Sequence, residues 1–116
     1  MDARFVHGSP TMCDYTPVAA VAAGTVIPGL AAGLNSLVAH RDLEANVKGA
    51  LAIGGGVYEL VNADGAAAVD NTKVYFDAAT KKVTATATAN SLFGYIVANG
   101  GGAANSLCWV LHHPYA

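Results

Sequence analysis

Charge is what this chain has least of. Only 12% of its 116 residues are Asp, Glu, Lys or Arg, where about a quarter is ordinary for a soluble domain. The formal net charge is −2 and the sequence pI about 6.0. That excludes the strongly basic face on which nucleic-acid binding depends, so no nucleic-acid partner is expected. Cysteine is nearly absent as well. Cys13 and Cys108 lie near opposite ends of the chain and form neither a metal spacing nor a redox pair. Both read as small buried hydrophobes. Long apolar runs are missing too. No charge falls between Asp14 and Arg41, yet Pro17, Gly24, Pro28, Gly29, Gly33, Asn35 and Ser36 interrupt that stretch. No membrane span is therefore expected. The start, "MDARFVHG", has no basic region followed by an apolar stretch, so no signal peptide is expected and synthesis in a cytosol is the default.

The motifs of catalysis and cofactor binding are also lacking. "IGGGVYEL" and "NGGGAANS" are rich in glycine, but neither supplies the Lys and Ser/Thr that a phosphate loop uses to reach phosphate and metal. Turns or close backbone approach account for both. No Gly-x-Ser-x-Gly elbow presents a nucleophilic serine. His112 and His113 are adjacent, and neighbours on a strand point to opposite faces. They cannot readily share one metal with His7 or His40 and read as surface or interface histidines. Asp64, Asp70 and Asp77 stand in turn-like contexts without the dense oxygen ligands and closing Glu of a calcium loop, so turn capping is expected of them. No cofactor, metal or enzymatic activity is predicted.

What the chain does have is apolar residues, 53% of the total. So many apolar residues with so few charges predict that part of the surface is covered by copies of the chain or by a partner. The length suits one domain, residues 1–116, with a real core. Helical periodicity is weak. In "LNSLVAHRDLEANVKGAL", Leu34, Val38 and Leu43 nearly fit a helix, but Asn46 and Gly49 break it. Strand signals are stronger, at about 4–7, 12–16, 25–28, 36–40, 49–53, 56–61, 73–77, 82–89, 92–98 and 106–113, with Gly, Asn, Asp and Pro between them. The fold class is all-β, a small barrel or sandwich of short antiparallel strands. Gly24, Asn46 and Asn71 each precede an apolar strand residue and tolerate positive φ, as if one turn were used three times.

The best-patterned segment is "KVYFDAATKKVTATATA", residues 73–89. It reads as a hairpin with Lys81 and Lys82 at its tip to keep an edge soluble. Val74 and Phe76 are expected on the same side as Val83, Ala85 and Ala87, in the core. Thr84, Thr86 and Thr88 should face water or a wet contact. On the last strand, Trp109 is expected to be buried together with Leu107 and Leu111.

Three stretches carry a resemblance that runs nearly end to end: "FVHGSPTMCDYTPVAAVAAGTVI", "GALAIGGGVYEL" and "VDNTKVYFDAATKKVTATATANSLFGYIVA". The third is the most specific. It holds an entry turn, a Lys-Val-Tyr-aromatic-Asp strand, a tight hairpin, a Thr/Ala strand and a Gly-containing exit strand. The chain resembles the capsid cement, or head decoration, proteins of tailed bacteriophages, whose members are sometimes labelled recombinase-like. It departs from them in the longer, more aromatic end "SLCWVLHHPYA" and in Asn46, where that turn usually has glycine. The resemblance implies an all-β virion protein made in the host cytoplasm and placed on the outer capsid surface. It implies homo-oligomers, commonly trimers, and the major capsid protein as partner.

A chemically quiet sheet suits such a role, because many weak contacts in parallel can clamp a shell. The other function class to weigh is a binding module for host glycan or receptor displayed on a particle. For capsid binding the sequence offers Arg4, Phe5 and His7, residue types that favour interfaces, on residues 1–7 read as an N-terminal arm. The same residues read equally well as the first strand of a barrel.

Overall fold

The computed structural model describes residues 2–27, 36–63, 72–87, 90–97 and 105–113. Among these residues there is no helix, and the expected all-β class is what the chain adopts. Eight strands are present: β1 (Arg4–Tyr15), β2 (Val26–Ile27), β3 (Leu37–Val38), β4 (Gly49–Val61), β5 (Lys73–Asp77), β6 (Lys82–Thr84), β7 (Ser91–Ile96) and β8 (Leu107–His112). They form one sheet in the order β2-β3-β4-β8-β7-β5-β6, with β1 paired along β4. Every strand pairing is antiparallel. The sheet curls until its far end returns to β4, where Ala63 N–H donates to the Val83 carbonyl at 2.7 Å beside a parallel bridge between Asn62 and Val83. The result is a half-barrel.

Strands read as separate pairs are fused. The segments 4–7 and 12–16 are both in β1, and 49–53 and 56–61 are both in β4. The glycines thought to be a loop lie within β4. Bulges explain how: pairing shifts register between Phe5 and His7, between Gly8 and Thr11 and between Thr11 and Met12. Gly8 and Gly55 take positive φ there, and a Cβ on Gly55 would come within 3.0 Å of the Ser9 carbonyl oxygen. Glycine lets the two long strands stay paired through the kink. The second glycine-rich run, 99–104, lies outside the described residues, apart from its Asn105 and Ser106 flank.

The core follows strand alternation. Tyr58, Leu60, Val74, Phe76, Val83, Phe93, Ile96, Cys108 and Val110 fill the concave side. A second cluster of Leu37, Ala39, Leu43 and Leu51 packs with Cys13 and Tyr15 beneath the first half of β4. Cys13 and Cys108 are free thiols; Cys108 is buried, as expected, whereas Cys13 is only half-buried. Gly94 permits the tightest approach, since a Cβ there would meet the Leu111 carbonyl oxygen at 1.7 Å. The region read as a marginal helix is β3 followed by a turn, in which Leu43 bridges to Val21. Asn46 has φ 61° and Gly24 φ 83°, so two of the three proposed turns share positive φ. Asn71, the third, lies outside the described residues.

The hairpin is shorter than its pattern. Phe76 pairs with Val83, and Val74, Phe76 and Val83 are all buried, as expected. Asp77 caps the turn through Oδ1, which accepts from Ala79 N–H at 2.9 Å. The Thr/Ala alternation then fails after Thr84. Thr84 is buried, whereas Ala85 and Ala87 are exposed. Thr84 Oγ1 accepts from Thr86 N–H at 3.3 Å, and such a local bond draws the backbone off the ladder. Thr88 lies outside the described residues.

These positions predict unequal costs. Phe76→Ala should lower stability by about 3 to 5 kcal/mol, as large buried aromatics do. Thr86→Ala should change it by no more than about 0.5 kcal/mol. Denaturant melts of the two variants beside the wild type measure both.

Candidate functional site

Residues 4–7 are strand. Arg4 pairs with Glu59, Phe5 with Tyr58 and His7 with Val57. The start is tied further by Asp2 and Ala3, whose N–H groups both donate to the Gly24 carbonyl, and Ala3 is buried. Asp2 Oδ2 in turn accepts from Val26 N–H at 3.1 Å. Of the two readings of this segment, the structure has the first strand and not a free arm.

The three residues nominated for capsid binding do not share one face. Arg4 and His7 point to the convex face of the sheet, and Phe5 points to the concave side. There Phe5 lies 5.1 Å from the His40 ring and 5.6 Å from the Tyr58 ring, centroid to centroid. Simple alternation would put His7 opposite Arg4. The bulge at Val6 adds one residue and returns His7 to the Arg4 face. Gly56 makes room for the Phe5 contact, since a Cβ there would meet both the Phe5 and Tyr58 rings at 3.1 Å.

Trp109 joins Arg4 and His7, and this overturns its expected burial. Trp109 is 39% exposed and Leu107 55% exposed, with Leu111 half-buried beside them. The neighbouring set of β8, Cys108, Val110 and His112, is inside instead. His112 is thus a core residue and not a surface histidine, while the His113 ring turns to the other face, 6.0 Å from Tyr95. Side-chain size suggests the wrong face. The concave side of a strongly curled sheet already holds Tyr58, Phe76 and Phe93, and a close-packed interior has no space for an indole as well.

The convex face is therefore a defined surface. Register places Arg4, Glu59 and Trp109 in one row, and His7, Val57, Leu111, Tyr95 and Lys73 in the next. Glu59 organises the first row. Its Oε1 accepts from Arg4 Nε at 2.9 Å, and its Oε2 accepts from Trp109 Nε1 at 3.2 Å. The Arg4 bond, the Trp109 bond and the Arg4 charge hold the Glu59 carboxyl below its ordinary range. The His7 ring stands edge-on to Trp109 at 5.9 Å and 76°. The indole is thereby fixed on two sides while a broad part of it meets solvent, the state of a preformed interface anchor.

Among the described residues, no group of three His, Cys, Asp or Glu side chains could hold a metal ion. The largest groove, about 710 Å³, runs between Met12 and Asp14 on β1 and the Arg41–Lys48 turn. It mixes both charge signs with Met12, Leu43 and Val47 and carries no nucleophile–base pair.

Because the chain has a single tryptophan, its fluorescence reports Glu59 directly. On acidification the Trp109 emission should shift as Glu59 protonates and its Oε2 gives up the indole bond. The midpoint should fall below the ordinary glutamate value of about 4.3. In Glu59→Gln that low-pH step should vanish. Persistence of the same step in Glu59→Gln contradicts the assigned geometry.

Neither the comparison with curated proteins nor that with solved structures returned a significant match. A family model described as phage cement protein matches residues 7–111. That match takes in the convex face from His7 through Leu111 and nearly the whole half-barrel, and the chain belongs to the phage cement protein family, a structural component of phage capsids.

Proposed function

We propose that this protein binds the outer surface of an icosahedral phage head and cements neighbouring major capsid protein subunits, with the convex face of β1, β4 and β8 as its docking surface. One observation carries the choice of face: Trp109 and Leu107 are exposed beside Arg4 and His7, with the indole already held by Glu59. Burying an exposed Trp and Leu contributes favourably in proportion to area, about 25 cal/mol per Å² before the costs of association. Arg4 and Lys73 stand beside the acid Glu59 in the two rows of this face. The bond that fixes Trp109 in advance lowers the ordering cost of docking. No chemical step enters this reading; area and copy number do the work.

The test is co-sedimentation with heads that lack the protein. Trp109→Ser should weaken binding at least tenfold while leaving the circular dichroism spectrum and melt close to wild type. Val18→Ser, a change at an 89% exposed position away from this face, should bind normally. Equal binding by all three proteins contradicts the assignment of the face. Binding to glycans with no effect on head stability supports a receptor module in place of a cement.

The protein further acts as a homo-oligomer, a trimer. The scarcity of charge, 12% of residues, and the exposed apolar side chains Met12 and Val47 on the groove beside β1 support self-association. Light scattering at micromolar concentration should give three times the 11.7 kDa chain mass. A clean monomer contradicts it.

A further inference from the structure

We propose that the Ser36 end of the β3 strap is an acid-released latch, with His112 as its sensor. The strap, Ser36–His40, runs from its pairing with β4 at Val38 to β7 at Ser36. At one end Ser36 N–H donates to the Leu92 carbonyl at 3.2 Å and Ser36 Oγ donates to the Ser91 carbonyl at 3.1 Å. His112 Nε2 reaches the Ser36 carbonyl from β8 at 2.6 Å. A carbonyl only accepts, so the neutral imidazole carries its proton on Nε2 and Nδ1 is bare. His112 is 0% exposed, and its Nδ1 has no hydrogen-bond partner among the described residues.

A second proton must therefore go onto Nδ1, in a place that cannot solvate it. The ring lies 4.7 Å from Phe93 and 5.5 Å from Tyr58. Among the described residues, the ionisable groups acting on it are His40 from the strap, Tyr58 from β4 and His113 just past its own strand, while β7 offers Phe93. None is a carboxylate, and a charged His40 or His113 repels the imidazolium. Burial, partly offset by the Ser36 bond, pushes the His112 ring down to about 4. A folded value below the unfolded one means that stability is complete above about pH 6.5 and is lost as pH falls towards 4. The cheapest relief is local. Lifting Ser36 opens the Nε2 edge of the charged ring to water, while the strap keeps its bridge from Val38 to Ala52 and the bond from Ala39 N–H to the Thr25 carbonyl at 3.0 Å. His40 is not the sensor: its Nε2 lies 2.5 Å from the Tyr58 hydroxyl and, once protonated, can donate to that oxygen instead of accepting from it.

Backbone amide exchange by NMR, corrected for the intrinsic rate, tests the latch. Between pH 7.5 and 5 the protection of the Ser36 amide should fall about 30-fold by linkage. The Ala39 amide, inside the β2–β3 unit, and the Val83 amide, in the far hairpin, should stay better protected than Ser36 at both pH values, because they are released only by larger openings. His112→Gln keeps a donor for the Ser36 carbonyl and cannot titrate, so it should abolish the response, whereas His40→Gln should retain it. Constant Ser36 protection in the wild type overturns the proposal. So does an equal fall in His112→Gln, or Ser36 protection as high as that of Val83. Should His112→Gln not fold, the wild type decides alone: the His112 imidazole shift and the Ser36 amide shift must titrate with one midpoint, and two separate midpoints overturn the latch.

Discussion

Three rings, Tyr58, Phe76 and Phe93, have to fit inside a sheet of short strands that curls back on itself, and most of the architecture answers to that packing. All three are fully buried. Tyr58 meets Phe93 edge-on at 6.0 Å, and its hydroxyl, which burial would otherwise orphan, is satisfied by His40. Curling tightly enough to enclose them forces β7 against β8 at Gly94, where the opposing backbone leaves no room for a side chain. It also puts bulges into β1 and glycines into β4, so that two long strands can follow the curve.

The proposed docking surface is the other side of the same constraint. Once the concave side is full, the larger residues of β8 can only face outward, and Leu107, Trp109 and Leu111 come to lie beside Arg4, Glu59 and His7. The outward row is held by one carboxylate rather than by packing. A rigid aromatic anchor on a chemically quiet face suits the proposed cementing role. It offers area and shape, keeps its geometry before contact, and gains strength from repetition over a shell.

Much of this was legible in the sequence, and the misses have physical causes. The strand segments, the hairpin around Phe76 and Val83, and the positive-φ turns at Gly24 and Asn46 follow from local residue preferences, which act over a few residues. The family resemblance was legible for the same reason, since the hairpin and its Gly-containing exit strand are local patterns. The joining of four segments into β1 and β4 was not, because a bulge is decided by the partner strand. The face of β8 was misread because Leu, Trp and Leu look more like a core than Cys, Val and His do. Only the curvature of the sheet decides which set fits, and curvature is a property of all eight strands together. Of the three residues nominated for capsid binding, Arg4 and His7 lie on one surface and Phe5 on the other side of the sheet. Glu59, which ties that surface together, was missed altogether. A lone acid in an apolar strand, "GVYELV", was the available signal.

The account turns on which side of the half-barrel meets the shell. A cryo-EM map of decorated particles, at a resolution that shows side chains, tests this most directly. The account predicts Trp109 and Leu107 buried against the major capsid protein, with Arg4 and His7 at the rim of the contact. A map in which that face looks out to solvent, while another side of the half-barrel lies on the capsid, would contradict it.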